Sequence, residues 1–441
     1  MTEKKEPIDR VVRPIQRFMR AERAGGIVLG ISVIIAMVIA NSPLADDYFR
    51  VLGHKFGFIF NGVPFFEYNI HHWINDGLMA IFFFVVGLEL KREFVAGELS
   101  NFRKAMLPIG AAFGGMLVPA LIYFSLNPFG DASSGWGIPM ATDIAFALGV
   151  LYLLGRRIPT SLKVFLTALA IVDDLGAVVV IALFYTSEIS LSSLATGLGF
   201  ALVLFIGNKI GVRSLLFYVT VGVLGVWASF LMSGVHATIA AVIAAFMVPA
   251  DVKISENLFV ERIKKYLNTF RDIDPKDEIP TLTNEQLHLL EKIKVDANKA
   301  IPPLQRLEYN LHPLVIFVIV PLFALANAGV SLDLNWEQLF STNIAFGVAL
   351  GLLLGKVCGV VGATLLLVKL KVAPLPSGMN RRNLLGLGFL ASIGFTMSLF
   401  VTSLAFTNTE YMVQAKIGIF VASIIGGVIG YLILNKSHYR A

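Results

Sequence analysis

Apolar residues along this chain neither alternate nor recur on one side of a helical repeat. They come in runs of roughly twenty, separated by short polar and basic segments. A run of that length matches the ~20 residues an α-helix needs to cross a bilayer core. Twelve such spans are read, at about 25–44, 72–90, 105–126, 136–154, 161–186, 192–208, 214–231, 234–250, 309–330, 343–368, 383–406 and 412–434. Two stretches outside them have structure of their own. In residues 56–66, FGFIFNGVPFF, apolar runs flank Asn61-Gly62, the strongest short hairpin signal because both turn positions need positive φ. Such a hairpin is either an ordinary loop or, through its unpaired edges, a joint between two copies of the chain. In residues 283–300, Thr283 and Gln286 form a capping box ahead of an apolar stripe of Leu287, Leu290 and Ile293, which predicts an amphipathic surface helix.

Composition agrees with the spans. Of 441 residues, 56% are apolar and only 15% charged, and the mean hydropathy is +0.75. A soluble domain averages ~45–50% apolar and ~25% charged. A soluble enzyme, a disordered protein and a secreted disulfide scaffold are therefore excluded, and the lone Cys358 leaves no internal disulfide and no thiolate metal site. The net charge of +6 needs no nucleic acid to explain it. Of the 36 Lys and Arg residues, all but Arg50, Lys55, Lys356 and Lys416 fall at 1–24, 91–104, 155–163, 209–213, 251–308, 369–382 and 435–441. Those segments lie on one side of the twelve spans, so both termini are expected in the cytoplasm. Residues 1–24 then read as a cytoplasmic N-terminal segment leading into a retained first span, since no small-residue cleavage site follows. Residues 25–441 read as a single twelve-span domain, with an outer hairpin near 56–66 and a cytoplasmic insertion at 251–308 carrying the amphipathic helix.

Few charges enter the spans: Asp76, Asp143, Asp173, Asp174 and Lys356, with Glu89 at a cytoplasmic end. An ionised group at mid-membrane costs at least ~2.5–3.5 kcal/mol, so each needs a reason. Asp76, in Ile74-Asn75-Asp76-Gly77, reads equally well as a helix cap. Asp173 and Asp174 are adjacent in Ile171-Val172-Asp173-Asp174-Leu175-Gly176 and so ~100° apart around a helix. One can face a cavity while the other faces a neighbour. Burial and mutual repulsion disfavour two bare charges there. A carboxylate that holds either H⁺ or a small hard cation, but not both, is a minimal antiport device, and oxygen ligands suit alkali cations. Pro139 breaks a span just before Thr142-Asp143. A small-residue interruption, Ala391-Ser392-Ile393-Gly394-Phe395-Thr396, sits in span eleven. Two interrupted spans in corresponding halves point to an inverted-repeat transporter. Lys356 is either the partner of one of these aspartates or a counter-charge for broken-helix C-terminal ends, with Asp143 balancing the N-terminal ends.

These stretches resemble the NhaA-type sodium/proton antiporters. The matching segments are WINDGLMAIFFFVVGLELKRE (73–93), ATDIAFALG (141–149), IVDDLGAVVVIALFYT (171–186), SGVHAT (233–238), PLFALANAGVS (321–331), Gly355-Lys356 and IGFTMS (393–398). The resemblance implies an all-α bundle of twelve transmembrane helices with inverted-topology repeats, in which spans 4 and 11 cross as broken helices. It implies a secondary active transporter of the bacterial inner membrane, not an enzyme: an electrogenic, pH-regulated Na⁺(Li⁺)/H⁺ antiporter without a cofactor, with an expected stoichiometry of two H⁺ per Na⁺. Asp173 and Asp174 would hold the cation and the protons, assisted by Thr142, Asp143 and Lys356. Asp76 matches an important carboxylate of the second span. Glu89, Glu93, Glu308 and His312 match the pH-responsive funnel mouth, and His236 a pH-related position. The chain is expected to form a homodimer through its hairpin, in contact with membrane lipid. It departs from the family in the length of the 251–306 loop and in Tyr309, which stands where a second histidine is expected. Adjacent aspartates without a Gly-x-Gly-Asp setting argue against an intramembrane protease. The scarcity of deep polar groups other than carboxylates argues against an organic-solute symporter.

Overall fold

The structure is a computed structural model and describes residues 24–60, 63–155, 158–186, 189–273, 281–330 and 342–436. The apolar runs are helices. α1 (Ala24–Ala40) turns by 111° into α2 (Ala45–Gly53). Strands β1 (Lys55–Phe60) and β2 (Val63–Asn69) then pair antiparallel, from Lys55 opposite Asn69 to Phe60 opposite Val63. That is the expected hairpin; Asn61-Gly62 lies outside the described residues. α3 (Ile70–Ala96) and α4 (Phe102–Leu126) follow. A 3₁₀ helix, Asp131–Met140, precedes α5 (Ile144–Leu153). Next come α6 (Thr160–Phe184), α7 (Leu191–Lys209), α8 (Leu215–Ser233) and the short α9 (Ala237–Met247). α10 (Glu256–Ile273) and α11 (Asn284–Ala300) form the insertion. The chain closes with α12 (Pro303–Asn327), α13 (Ile344–Lys369), α14 (Arg381–Ala391), α15 (Phe395–Ala405) and α16 (Thr409–Asn435).

Among the described residues nine helices are long and apolar enough to cross a membrane, or eleven if each bent pair is one span. Each expected span has a helical counterpart. α9, however, has 11 residues, about 16 Å of helix, which is too short to cross on its own. Exposed aliphatic and aromatic side chains such as Ile34, Leu183, Phe184, Leu216, Leu224 and Ile424 cover the outside of the bundle. In water such patches would drive association; against lipid they are the ordinary solvent-facing surface.

Small residues set the closest helix contacts. A Cβ on Gly114 would lie 2.5 Å from the Gly359 carbonyl oxygen, and one on Gly359 would lie 2.1 Å from that of Gly114. α4 and α13 therefore touch backbone to backbone, as small-residue interfaces allow where lipid supplies no hydrophobic drive. This contact brings Lys356, at the start of a turn of α13, into the centre of the bundle.

The insertion is a helical hairpin with a polar lock. Arg262 of α10 lies 3.3 Å from Asp296 of α11, Lys299 also 3.3 Å from it, and the Tyr266 hydroxyl donates to it at 3.2 Å. Burial pushes the Asp296 carboxyl up, but hydrogen bonds from Lys299, Arg262 and Tyr266 outweigh it and hold the group below the usual carboxylate range. The capping box of Thr283 and Gln286 is present. The apolar stripe is rotated from expectation: Gln286, Leu289 and Asp296 are buried, while Leu287 and Leu290 are exposed, because α11 packs on α10 through its polar lock. The Lys253 amide donates to the Lys299 carbonyl at 2.9 Å and the Leu304 amide to that of Pro249 at 3.1 Å, closing the base.

Candidate cation and proton site

Two helix breaks meet at the centre. Pro139 ends the 3₁₀ helix, and Ala141 to Asp143 are extended before α5 begins. A ten-residue 3₁₀ run is unusual, since such helices rarely exceed 3–4 residues; this one spans Asp131–Met140. Its carbonyls are claimed from outside: Tyr123 hydroxyl donates to Ala132 at 2.7 Å, Tyr185 hydroxyl to Ser134 at 2.6 Å, and Ser398 hydroxyl to Ile138 at 2.8 Å. The other break, Ser392 to Gly394, separates α14 from α15 at a 43° bend. The Asp143 amide donates to the Ile393 carbonyl at 2.6 Å, so the breaks are joined directly. Gly394 permits the approach: a Cβ there would sit 3.1 Å from the Ala141 oxygen and 2.3 Å from Ser398 Oγ.

Asp143 caps both helices that leave the crossing. Its Oδ1 accepts from the Phe146 amide of α5 at 3.0 Å. Its Oδ2 accepts from the Thr396 amide at 2.9 Å and the Thr396 hydroxyl at 2.5 Å. One carboxylate thus faces two helix N-termini, where the macrodipoles favour negative charge. The sequence offered Lys356 two roles and the structure selects one: its ammonium bonds Asp173 Oδ2, and both side chains are wholly buried. A π turn, Gly351–Gly355, immediately precedes Lys356 and sets its direction.

Thr142 hydroxyl lies 2.8 Å from Asp173 Oδ2 and 2.9 Å from the Ala391 carbonyl. With one proton, it donates to one of them at a time. Asp174 differs from its neighbour. It is 1% exposed, and among the described residues neither of its oxygens has a hydrogen-bond partner, nor does Asp173 Oδ1. The charges acting on it are those of Asp173, Asp143 and Glu89, all like its own, and that of Lys356. A buried carboxylate with no donor carries its full desolvation penalty. A proton or a small cation removes that penalty. Thr142, Asp143, Asp173, Asp174 and Lys356 are therefore brought together.

The remaining candidates form two groups at opposite ends of the bundle. At the end bearing the insertion, Arg92 bonds Glu308 and lies 3.4 Å from Glu93. Glu89 stands in the field of Glu308, Arg92 and Glu93, and His312 in that of Arg92. The four residues expected at a funnel mouth thus gather around an arginine that sequence reasoning left out. At the hairpin end, Asp76 lies 3.3 Å from His72, in the field of His72 and His236, and His236 Nε2 lies 2.9 Å from the Tyr185 carbonyl. Asp76 is not a helix cap; Asn69 caps that helix, accepting from the His72 amide at 2.7 Å. Other side chains that sequence reasoning missed are Thr396, Ser398, and the Asn75–Asn327 pair, whose amides bond at 2.8 Å. Each is a polar residue inside an apolar span, which was the available signal.

The fold and this site define a multi-pass α-helical membrane protein with a buried carboxylate pair at its centre. The profile of the Na⁺/H⁺ antiporter 1 family matches residues 16–434. The chain is 47% identical over 433 residues to Na⁺/H⁺ antiporter NhaA 2 of Syntrophotalea carbinolica, covering 97% of each chain. It is 47% identical over 432 residues to Na⁺/H⁺ antiporter NhaA of Sulfurimonas denitrificans, covering 97% of this chain and 96% of that one. It is 48% identical over 433 residues to Na⁺/H⁺ antiporter NhaA of Helicobacter pylori strain J99, with the same coverage of 97% and 96%. This chain belongs to the Na⁺/H⁺ antiporter 1 family, which places it among secondary transporters and not among enzymes.

Proposed function

We propose that this chain exchanges Na⁺ or Li⁺ for H⁺ across the bacterial plasma membrane by alternating access, at Asp173 and Asp174. The observation that carries this reading is Asp174, a buried carboxylate without a donor among the described residues, beside an Asp173 already engaged by Lys356 and Thr142. Binding a cation calls for both aspartates to be ionised, with Thr142 Oγ as a further oxygen ligand. On the return step Asp174 takes one proton. The second goes to Asp173, or to a Lys356 amine that gave up its proton when the cation bound and whose ammonium now re-forms the ion pair. Two protons then move for each Na⁺, and the cycle carries net charge. The joined breaks of spans 4 and 11 provide the element that can rearrange, consistent with twelve spans in inverted repeats. The Lys and Arg distribution supports cytoplasmic termini, with the insertion inside and the β-hairpin outside. The Arg92 cluster with Glu89, Glu93, Glu308 and His312 then lies at the inner mouth, where titration of its carboxylates and imidazole would set the pH response. The β-hairpin, a two-stranded sheet among the described residues, is the surface for a homodimer.

The test uses everted membrane vesicles with a fluorescent pH probe. Adding Na⁺ or Li⁺ should release protons with the native chain and release none with Asp174→Asn, at equal protein in the membrane. Proton movement retained by Asp174→Asn overturns the site.

A further inference from the structure

At the hairpin end, a cavity of about 430 Å³ is lined by His71, His72 and Asp76 of α3, His236 before α9, Ser403 of α15 and Met412 of α16. It reaches the half-helix whose other end is held by Asp143. Asp76 sits in a π turn, Trp73–Leu78. Its side chain is 13% exposed, while that of His72 is 38% exposed. His72 is clamped over it. The Tyr68 ring, on β2, stacks on the His72 ring at 4.3 Å and 24°, Nδ1 faces Asp76 Oδ2 at 3.3 Å, and Nε2 is buried without a partner among the described residues.

The other titratable groups around the pair are committed elsewhere. His71 Nε2 lies 3.0 Å from Asn327 Oδ1, and His71 is under the field of Lys416 on α16. His236 Nε2 lies against the Tyr185 carbonyl. Among the described residues His72 alone contacts the carboxylate, and His236 adds only its field. From these contacts we infer that His72 is a positioning residue for Asp76, and that it makes capture of a monovalent cation from the hairpin side depend on the proton concentration on that side. Protonated, His72 is a cation against Asp76 and cancels the charge that draws Na⁺ or Li⁺ into the cavity. Neutral, it leaves Asp76 oriented and negative. Histidine is the side chain whose charge ordinarily changes between pH 5 and 8. Tyr68 makes the β-hairpin part of this device, since the ring that holds His72 in place belongs to β2.

This inference rests on the antiport reading, and the experiment separates the two. Initial ²²Na⁺ uptake is measured in right-side-out vesicles, whose bath meets the hairpin side, and in everted vesicles, at bath pH 6 and 8 with lumen pH held constant. Removing a charge at contact range should change cation affinity by about ten-fold. His72→Gln, which keeps a polar ring-sized group but cannot charge, should lose about that much of the pH 6 to 8 change in KM in right-side-out vesicles. In everted vesicles its pH dependence should match the native chain. His72→Lys should raise KM at pH 8 about ten-fold, again only in right-side-out vesicles. His71→Gln, whose ring is engaged by Asn327, should keep the native pH dependence on both sides. The inference is overturned if His72→Gln titrates like the native chain on the hairpin side, if its loss is equal on both sides, or if His236→Gln alone abolishes the effect. Absence of Na⁺ uptake by the native chain overturns the antiport reading, and this one with it.

Discussion

Lys356 shows what a single residue can and cannot announce. A lone lysine among apolar neighbours signals a buried partner, and the adjacent aspartates supply candidates. Sequence alone does not choose between Asp173 and the helix ends, because the choice depends on the π turn before Lys356 and on the glycine contact that draws α13 against α4. Thr396 was less visible still. Threonine is common in membrane helices, and only the crossing reveals that its amide and hydroxyl both serve Asp143. The pairing has an energetic consequence. Removing one partner of a buried ion pair costs ~3–5 kcal/mol, while replacing both can be nearly neutral. Lys356→Ala should therefore lower the thermal midpoint in detergent clearly. Lys356→Ala combined with Asp173→Asn should recover part of that loss. A double variant no more stable than Lys356→Ala alone would mean the ammonium does not act through Asp173.

At the scale of elements, the length of the apolar runs made the helices legible, and Asn61-Gly62 marked the strand pair on either side of it. The hidden elements are those created by tertiary contact. Nothing in DASSGWGIPM encodes a ten-residue 3₁₀ helix; it persists because Tyr123, Tyr185 and Ser398 bond its carbonyls from other elements. The π turns likewise have no side-chain signature. In α11 the stripe of Leu287 and Leu290 pointed the wrong way, since a buried Asp296 with three partners decides the packing face. The crossing itself depends on Gly394, where a Cβ would also lie 2.8 Å from Leu352 Cδ2. Overpacking a close site typically costs ~1–3 kcal/mol. Gly394→Ala should thus leave the chain inserted while parting the two breaks, and Na⁺-driven proton movement in everted vesicles should fall at least ten-fold. Near-native movement would show that the contact is not needed for transport.

For the whole molecule, the charge bias along the sequence and the proposed ion site at its centre combine into one electrical prediction. If the site returns with two protons for one Na⁺, each cycle moves one net positive charge. That charge is worth ~2.3 kcal/mol per 100 mV of membrane potential. A potential negative inside then favours proton entry and drives Na⁺ outward even without a pH gradient. With no pH gradient, transport in proteoliposomes should reverse when a ten-fold Na⁺ gradient is opposed by about 59 mV, the interval for one charge. The pH gradient should count twice as heavily as the potential in shifting that point. Asp173 and the Lys356 ammonium predict the same ratio, since either can carry the second proton beside Asp174. The two carriers separate on substitution: with Lys356→Ala the ratio holds if Asp173 takes the proton, and falls to one if the ammonium does. A reversal point indifferent to membrane potential in the native chain would make the exchange electroneutral and leave Asp174 as the sole proton carrier.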